Sequence, residues 1–253
     1  MSSSLANITA ISKRELMGYF ASPVAFVFLV IYLLLSGFFT FTIGIRGMPF
    51  FEYGQASLIT FFTWQPWLFL VLVSAVGMRL WSEERRLGTI ELLLTMPITA
   101  WQAIVGKFLA SWLFLVLALF LTFPIVVTAN YLGSPDNGVI FCSYVGCALL
   151  AGGYLAISCM TSAMSRNQVV SFIISIVICL LLILAGFPPI TNTLASWGAK
   201  PWLINGVASI SVITHFESFQ KGVLDSRDLI FFGSLIGFSL FTTGVILRGH
   251  RAG

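Results

Sequence analysis

The stretch "PVAFVFLVIYLLLSGFFTFTIGI", Pro23 to Ile45, contains no charged residue. A bilayer core about 30 Å thick needs roughly 20 apolar residues per helix, and this stretch is long enough. It is apolar at odd and even positions alike, whereas a barrel strand would alternate over about 10 residues. Only 9% of the 253 residues are charged and 58% are hydrophobic, against about 25% charged residues in ordinary soluble domains. The stretch therefore predicts a helical membrane protein.

Five further apolar runs follow this one along the chain. The predicted fold is an all-α, polytopic membrane protein with one transmembrane domain, residues 1–253. Its six transmembrane helices are predicted over residues 23–45, 60–80, 101–130, 137–165, 167–188 and 229–247. Small residues that permit close helix packing are concentrated in the fourth run.

The distribution of basic residues predicts the orientation. An even number of spans places both termini on one side of the membrane. Nine of the 13 Lys and Arg residues then share that side, and the other four are Arg46, Lys200, Lys221 and Arg227. The positive-inside rule identifies the richer side as the cytoplasm. The net charge of +4 therefore reflects membrane topology, and nothing indicates nucleic-acid binding.

Two segments outside the six runs are predicted to be helical. Residues 1–22 lack the apolar core of a cleavable signal peptide, and their apolar residues recur at helical spacing. We interpret them as an interfacial amphipathic helix, with a cytoplasmic tail free of the membrane as the alternative. Residues 189–228 are predicted to form one or two short helices that lie on, or dip into, the outer leaflet.

The sequence lacks the motifs of membrane enzymes and ATP-binding proteins. It has two histidines and no HExxH, GxSxG or Walker A pattern. Its cysteines are most simply small buried hydrophobic residues, since their spacing fits neither a zinc site nor a redox pair; they are Cys142, Cys147, Cys159 and Cys179. The predicted spans hold almost no ionisable residues of the kind that ion-driven transport uses. We expect no catalytic, cofactor-binding or metal-binding residue in this chain, and any energy source to lie on another subunit.

One loop contains a dense cluster of charged residues, "RLWSEERRLGTIELLLTMPITAWQAIVGK", Arg79 to Lys107. Acidic residues early in a helix suit its positive end, and Leu87, Ile90 and Leu94 form one apolar stripe. Pro97 ends the pattern. We predict a short amphipathic helix over residues 82–97, suited to a hydrophobic groove of a partner protein. The alternative is a loop whose charges only anchor the topology.

This loop resembles the first cytoplasmic loop of ABC-2 type transporter permeases. The matching positions are Glu84, Gly88, Thr89, Glu91, Leu93, Leu94 and Pro97, with Lys107 at the start of the next span. In that family the loop forms a coupling helix that docks onto a separate ATPase subunit. The resemblance implies a docking surface made of Glu83, Glu84, Arg85, Leu87, Gly88, Thr89, Ile90, Glu91, Leu94 and Pro97.

A second stretch, "ISVITHFESFQKGVLDSRDLIFFGSL", Ile210 to Leu235, resembles the permeases of gliding motility and of nitrous oxide reductase maturation. The matching positions are His215, Phe216, Phe219, Gly222, Arg227 and Asp228. His215 could be a ligand or a proton switch, but a hydrogen-bonded structural role is the simpler interpretation. Arg227 and Asp228 are interpreted as an interfacial charge pair before the last span.

The resemblance implies a permease subunit of an ATP-driven exporter in the bacterial cytoplasmic membrane, with both termini in the cytoplasm. It implies a second permease copy, most simply a homodimer through the first and fifth spans, and two ATPase subunits that carry ATP and Mg. An outer-facing auxiliary membrane protein is a further possible partner. Whether the complex exports an amphipathic cargo or transmits force stays open. A non-transporting scaffold or channel is the alternative, and a membrane enzyme is the third option.

Overall fold

The computed structural model describes residues 2–44, 48–52, 57–88, 99–196, 198 and 200–249, and every regular element in these ranges is helical. The first half contains α1 (Ser2–Ala21), α2 (Pro23–Phe38) with a π-helical continuation (Phe39–Ile43), α3 (Ile59–Gly77), α4 (Arg79–Leu87), α5 (Ala100–Phe120) and α6 (Phe123–Leu132). The second half contains α7 (Asn137–Met164), α8 (Gln168–Leu184), α9 (Pro188–Ser196), α10 (Pro201–Ala208), α11 (Val212–Gln220) and α12 (Ser226–Gly249).

Five helical segments of the described residues are long and apolar enough to cross a membrane. They are Pro23–Ile43, Ile59–Leu87, Ala100–Leu132, Asn137–Met164 and Ser226–Gly249. The all-α membrane class is thereby confirmed. The predicted fifth span corresponds to α8, an apolar helix of 17 residues that falls just short of that length. The count of six spans therefore stays a prediction.

The third span differs from the predicted uninterrupted run over residues 101–130. Its helix is interrupted between Phe120 and Phe123. Pro124 explains the break, because proline has no backbone N–H and its ring clashes with the carbonyl of Phe120 four residues earlier. The hydroxyl of Thr122 donates to the carbonyl oxygen of Leu119 at 2.6 Å and lies 2.9 Å from the hydroxyl of Tyr144 on α7. These bonds keep polar groups satisfied where the helix is interrupted.

The centre of the bundle is α7, which packs against α3, α4, α5, α8, α11 and α12. Its glycines allow this, because a Cβ placed on Gly146 would lie 2.7 Å from Cβ of Phe219 on α11. Hydroxyl groups join these helices: Ser158 Oγ on α7 donates to the carbonyl oxygen of Ser74 on α3, and Ser74 Oγ lies 3.0 Å from Ser175 Oγ on α8. Small residues and hydroxyl groups of this kind hold helices together in a membrane. The hydrophobic effect does not drive the association there, because lipid tails are as apolar as the helix surfaces.

The N-terminal segment is helical, and α1 packs along the first half of α5. Ser12 Oγ donates to the carbonyl oxygen of Gly106 at 2.9 Å, and the hydroxyls of Tyr19 and Ser111 lie 2.8 Å apart. A Cβ on Gly106 would lie 2.8 Å from a methyl carbon of Ile11, so the two helices approach closely here. The position of α1 at a membrane surface stays a prediction.

The segment predicted over residues 189–228 contains three short helices, α9, α10 and α11, where one or two were expected. Pro188 and Pro201 begin the first two of them. A proline at the first helical position costs nothing, because its missing N–H would have no partner there in any case. Pro188 and Pro201, each at the start of a helix, thus explain why this segment contains more helices than predicted.

Candidate functional site

The loop with the cluster of charged residues begins as an extension of a membrane helix. α4 continues α3 after a break at Met78. Ser162 of α7 stabilises the break: its Oγ accepts from the backbone N–H groups of Trp81 and Ser82, each at 3.0 Å. The same hydroxyl donates to the carbonyl oxygen of Met78 at 2.8 Å. One serine therefore uses its donor and both acceptor positions to fix the direction in which α4 leaves the bundle.

Two further side chains of α4 attach it to α7. Trp81 is fully buried, and its indole N–H donates to Cys159 Sγ at 3.1 Å. Arg85 donates to the carbonyl oxygen of Ala163, near the C-terminal end of α7. A cation at this end of a helix is favourable, because the last carbonyl groups carry partial negative charge. α4 and α7 are therefore joined along the length of α4.

A buried lysine joins α4 to two other helices. Lys107 Nζ on α5 lies 2.8 Å from a carboxylate oxygen of Glu84 and 3.4 Å from one of Glu15 on α1. It also lies 5.5 Å from the ring centroid of Trp81. The lysine side chain is only 6% exposed. We call Glu15, Glu84 and Lys107 the charged junction; it connects α1, α4 and α5 at one end of the bundle.

The pKa of the Glu15 carboxyl reflects its position in the charged junction. Burial raises the pKa of the Glu15 carboxyl, but Lys107 and Arg14 together outweigh it, so that the pKa lies below its ordinary value of 4.5. Arg14 contributes a hydrogen bond at 2.9 Å. The ionised carboxylate is therefore the form that the folded protein favours.

We expect the stability of the protein to fall in acid through this group. A carboxyl whose pKa is lower in the folded state stabilises that state above its unfolded pKa, and the contribution is lost as pH falls through the folded pKa. Thermal unfolding in detergent should show a decline in melting temperature below about pH 4.5. Glu15→Gln should have a shallower decline over the same range, and identical slopes for both proteins would contradict the assignment.

The predicted docking surface is only partly described. α4 begins at Arg79, earlier than the predicted residue 82, and ends at Leu87, because Gly88 adopts a φ of 71°. A helix running without interruption through Gly88 is therefore excluded, and Gly88 acts as a left-handed cap of the kind that glycine commonly forms. Leu87 is 62% exposed, and a Cβ added at Gly88 would meet no described residue within 4 Å. The remaining predicted positions lie outside the described residues: Thr89, Ile90, Glu91, Leu94 and Pro97.

The three predicted docking residues that precede Leu87 have different surroundings. Glu84 and Arg85 contact helices of this chain, through Lys107 and Ala163 respectively. Glu83 is half-buried beside them. The structure thus assigns Glu84 and Arg85 an internal role that the sequence did not predict. Their part in docking a partner, like that of Leu87, stays a prediction.

The second motif forms a separate cluster between α11 and α12. Nδ1 of His215 lies 2.6 Å from a carboxylate oxygen of Asp228, and Nε2 lies 3.0 Å from the carbonyl oxygen of Ser209. The imidazole also stacks on Phe231, with 4.0 Å between ring centroids. Both ring nitrogens therefore lie within hydrogen-bond distance of an oxygen acceptor. The hydrogen-bonded structural role expected for His215 agrees with these contacts.

The pairing of Asp228 corrects one detail of the sequence interpretation. Its partner is His215, whereas Arg227 is exposed and only its backbone N–H bonds to Asp225, at 2.9 Å. Phe216 and Phe219 are buried against α7. Gly222, with a φ of 77°, makes the turn after α11. Five of the six motif positions therefore fix α11 between α7 and α12, and Arg227 does not.

The important residues that sequence reasoning missed are Glu15, Trp81 and Ser162, together with the burial of Lys107. A lysine inside an otherwise apolar helix was a visible signal. Its partner Glu15 lies far away along the chain, so no local pattern could reveal the pair. Among the described residues, no group of three His, Cys, Asp or Glu side chains could hold a metal ion.

Comparison with known proteins gives one result. Residues 67–219 match the family described as ABC-2 family transporter protein. The match covers more than half of the chain and includes α4, Lys107, Ser162 and His215. No curated protein matches.

Proposed function

The chain belongs to the ABC-2 transporter family, and on that premise we propose that it is the permease subunit of an ATP-driven exporter whose ATPase docks at the loop following α4. As a member of this family, the protein is a multi-pass membrane protein and a transporter subunit. We further propose six spans, a bacterial cytoplasmic membrane and cytoplasmic termini, from the apolar runs and the positive-inside rule. ATP and Mg bind to the partner in this proposal.

The observation that carries the proposal is the attachment of α4. This helix is continuous with the second membrane span, yet it is held by Ser162 and Cys159 of α7 and by Lys107 of α5. A displacement applied at its end would therefore reach four parts of the bundle, namely α1, α3, α5 and α7. Nucleotide drives such a change only if the ATPase contacts one arrangement of the permease more favourably than the other.

The exposed end of α4 suits a partner surface. Leu87 presents a large apolar side chain, 62% exposed, directly before the Gly-Thr and Leu-rich sequence that resembles a coupling helix. Exposed leucines at the end of a charged helix fit the groove-binding mode, in which apolar anchors enter a hydrophobic cleft. We propose that residues 87–97 supply these anchors.

We expect the protein, purified in mild detergent, to retain a soluble ATPase from its own cell and to support ATP hydrolysis. Glu91→Arg should reduce retention at least about tenfold, since a charge reversal in an interface costs several kcal/mol. Glu52→Arg is the matched control, because Glu52 is exposed in a loop on the opposite side of the predicted topology. A folded wild-type protein that retains no ATPase would favour the alternative, a non-transporting scaffold or channel.

The cargo and the assembly are proposed more coarsely. Spans with few charges suit an amphipathic cargo, and force transmission to an outer auxiliary protein stays an alternative. We propose a homodimer through α2 and α8. Both helices carry exposed apolar residues, among them Val30 and Leu34 on α2 and Ile173 and Leu181 on α8. A second permease copy and lipid would each cover such residues.

A further inference from the structure

A cavity of about 320 Å³ lies beside the charged junction, between α1, α2, α4 and α5. One part of its wall is charged and the other is apolar. The charged side chains are Glu15, Arg79, Glu83, Glu84 and Lys107, and the apolar ones include Val24, Ala25, Phe28, Val76 and Phe114. A cavity with a charged wall and an apolar wall suits a molecule that has a charged part and a hydrocarbon part.

Three of the charges, on Glu15, Glu84 and Lys107, already pair with one another inside the protein. Lys107 Nζ forms ion pairs with the carboxylates of Glu84 and Glu15, at 2.8 and 3.4 Å. By contrast, the side chains of Arg79 and Glu83 make no hydrogen bond or ion pair with any residue of the described ranges. They lie one turn apart on α4 and both line the cavity. The cavity therefore offers one cation and one anion to a ligand.

The predicted topology places the cavity near one end of the first span, where lipid head groups occur. Ser22, which separates α1 from the first membrane helix, lines it together with Val24 in the first turn of that helix. Val24 is 37% exposed, so the wall continues onto the outside of the bundle. Met17 and Phe20, on either side of the lining residue Gly18, are 60% and 39% exposed. Apolar side chains exposed at the end of a span face the acyl region of a bilayer.

We infer that this cavity binds the head group of a zwitterionic phospholipid of the phosphoethanolamine type. The guanidinium of Arg79 would bind the phosphate, since arginine matches phosphate oxygens well. The carboxylate of Glu83 would accept from the primary ammonium, which has three N–H donors, whereas a choline head group has none. The volume is at the lower end of the range for ligand sites, about 300–1,000 Å³, so it fits a head group and leaves the acyl chains in the bilayer.

The test of this site requires neither nucleotide nor the ATPase, so its failure would be distinct from a failure of the proposed function. The full-length protein is delipidated in detergent and incubated separately with dioleoyl phosphatidylethanolamine, phosphatidylcholine and phosphatidylglycerol. Retained lipid is counted by native mass spectrometry. We expect about tenfold tighter retention of phosphatidylethanolamine than of the other two, which corresponds to one good charged hydrogen bond. Equal retention of all three lipids would overturn the assignment.

Three variants localise the binding. Gly18→Leu should fill the cavity and abolish the preference, because a Cβ on Gly18 meets nothing within 4 Å and the substitution is tolerated by the helix. Arg79→Gln and Glu83→Gln should each weaken retention about tenfold. Gly237→Leu on α12, where a Cβ also meets nothing within 4 Å, and the exposed Arg86→Gln should bind as wild type does. Undiminished binding by Gly18→Leu would contradict the site even if the other variants lost stability.

Discussion

Lys107→Met should destabilise the protein more than any other single substitution at the charged junction. It would remove the cation that lies between the carboxylates of Glu84 and Glu15, which are partly buried at 21% and 25% exposure. Removing one partner of a buried ion pair costs about 3–5 kcal/mol, and the partial exposure of the carboxylates places this case near the lower end, about 3 kcal/mol. The melting temperature in detergent should fall by several degrees.

Two controls separate this effect from the effect of removing any lysine side chain. Lys13→Met removes an exposed lysine on α1 and should leave the melting temperature unchanged. Adding Glu15→Gln and Glu84→Gln to Lys107→Met should recover most of the lost stability, because the two carboxyl groups that faced Lys107 are then neutral as well. If Lys107→Met behaves like Lys13→Met, the charged junction does not hold α1, α4 and α5 together.

Asp228→Ala should have the second largest effect, at the other end of the chain. Asp228 is 5% exposed and pairs with His215 at 2.6 Å. Without the carboxylate, Nδ1 of His215 loses its acceptor and the ring loses the charge that it faces. A hydrogen bond between charged groups contributes about 1.5–3 kcal/mol. We expect a loss of about 2 kcal/mol, measured as a lower melting temperature and as faster proteolysis around α11.

Glu217→Ala is the matched control for this prediction. Glu217 belongs to the same short helix but forms an exposed ion pair with Lys221 at 3.9 Å, with side chains 49% and 73% exposed. Exposed pairs of this kind contribute about 0–1 kcal/mol, so its removal should change the melting temperature little. Equal losses for Asp228→Ala and Glu217→Ala would show that the His215 pairing is not what fixes α11.

The parts of the fold that could be predicted are those that depend on composition over many residues. α7 and α12 lie close to the predicted fourth and sixth spans. A long apolar run bounded by polar residues can satisfy its backbone polar groups in a membrane by forming a helix. Pro124 and Gly88 were visible breaking signals that the prediction set aside. It gave more weight to the length of one apolar run and to the leucine stripe of the other than to the local backbone preference of these two residues.

The charged junction could not be predicted, because its contacts join residues that are distant in sequence. Glu15 lies on the N-terminal helix and Lys107 on the third span, and neither has a local pattern that names the other. The role of Ser162 is similarly hidden, because one serine among the small residues of α7 gives no sign that it bonds three backbone groups of another helix. Such pairings become visible only when the packing of the helices is known.

The most direct test of the central claim is site-specific photo-crosslinking of the purified complex. A photoreactive amino acid replaces either Leu87, at the exposed end of α4, or Tyr131, which is 89% exposed near the end of α6 on the opposite side of the predicted topology. The account predicts that the Leu87 position forms an adduct with a soluble ATPase and that the Tyr131 position forms none. An adduct from Tyr131 alone, or none from Leu87 in a complex that retains the ATPase, would contradict docking at α4.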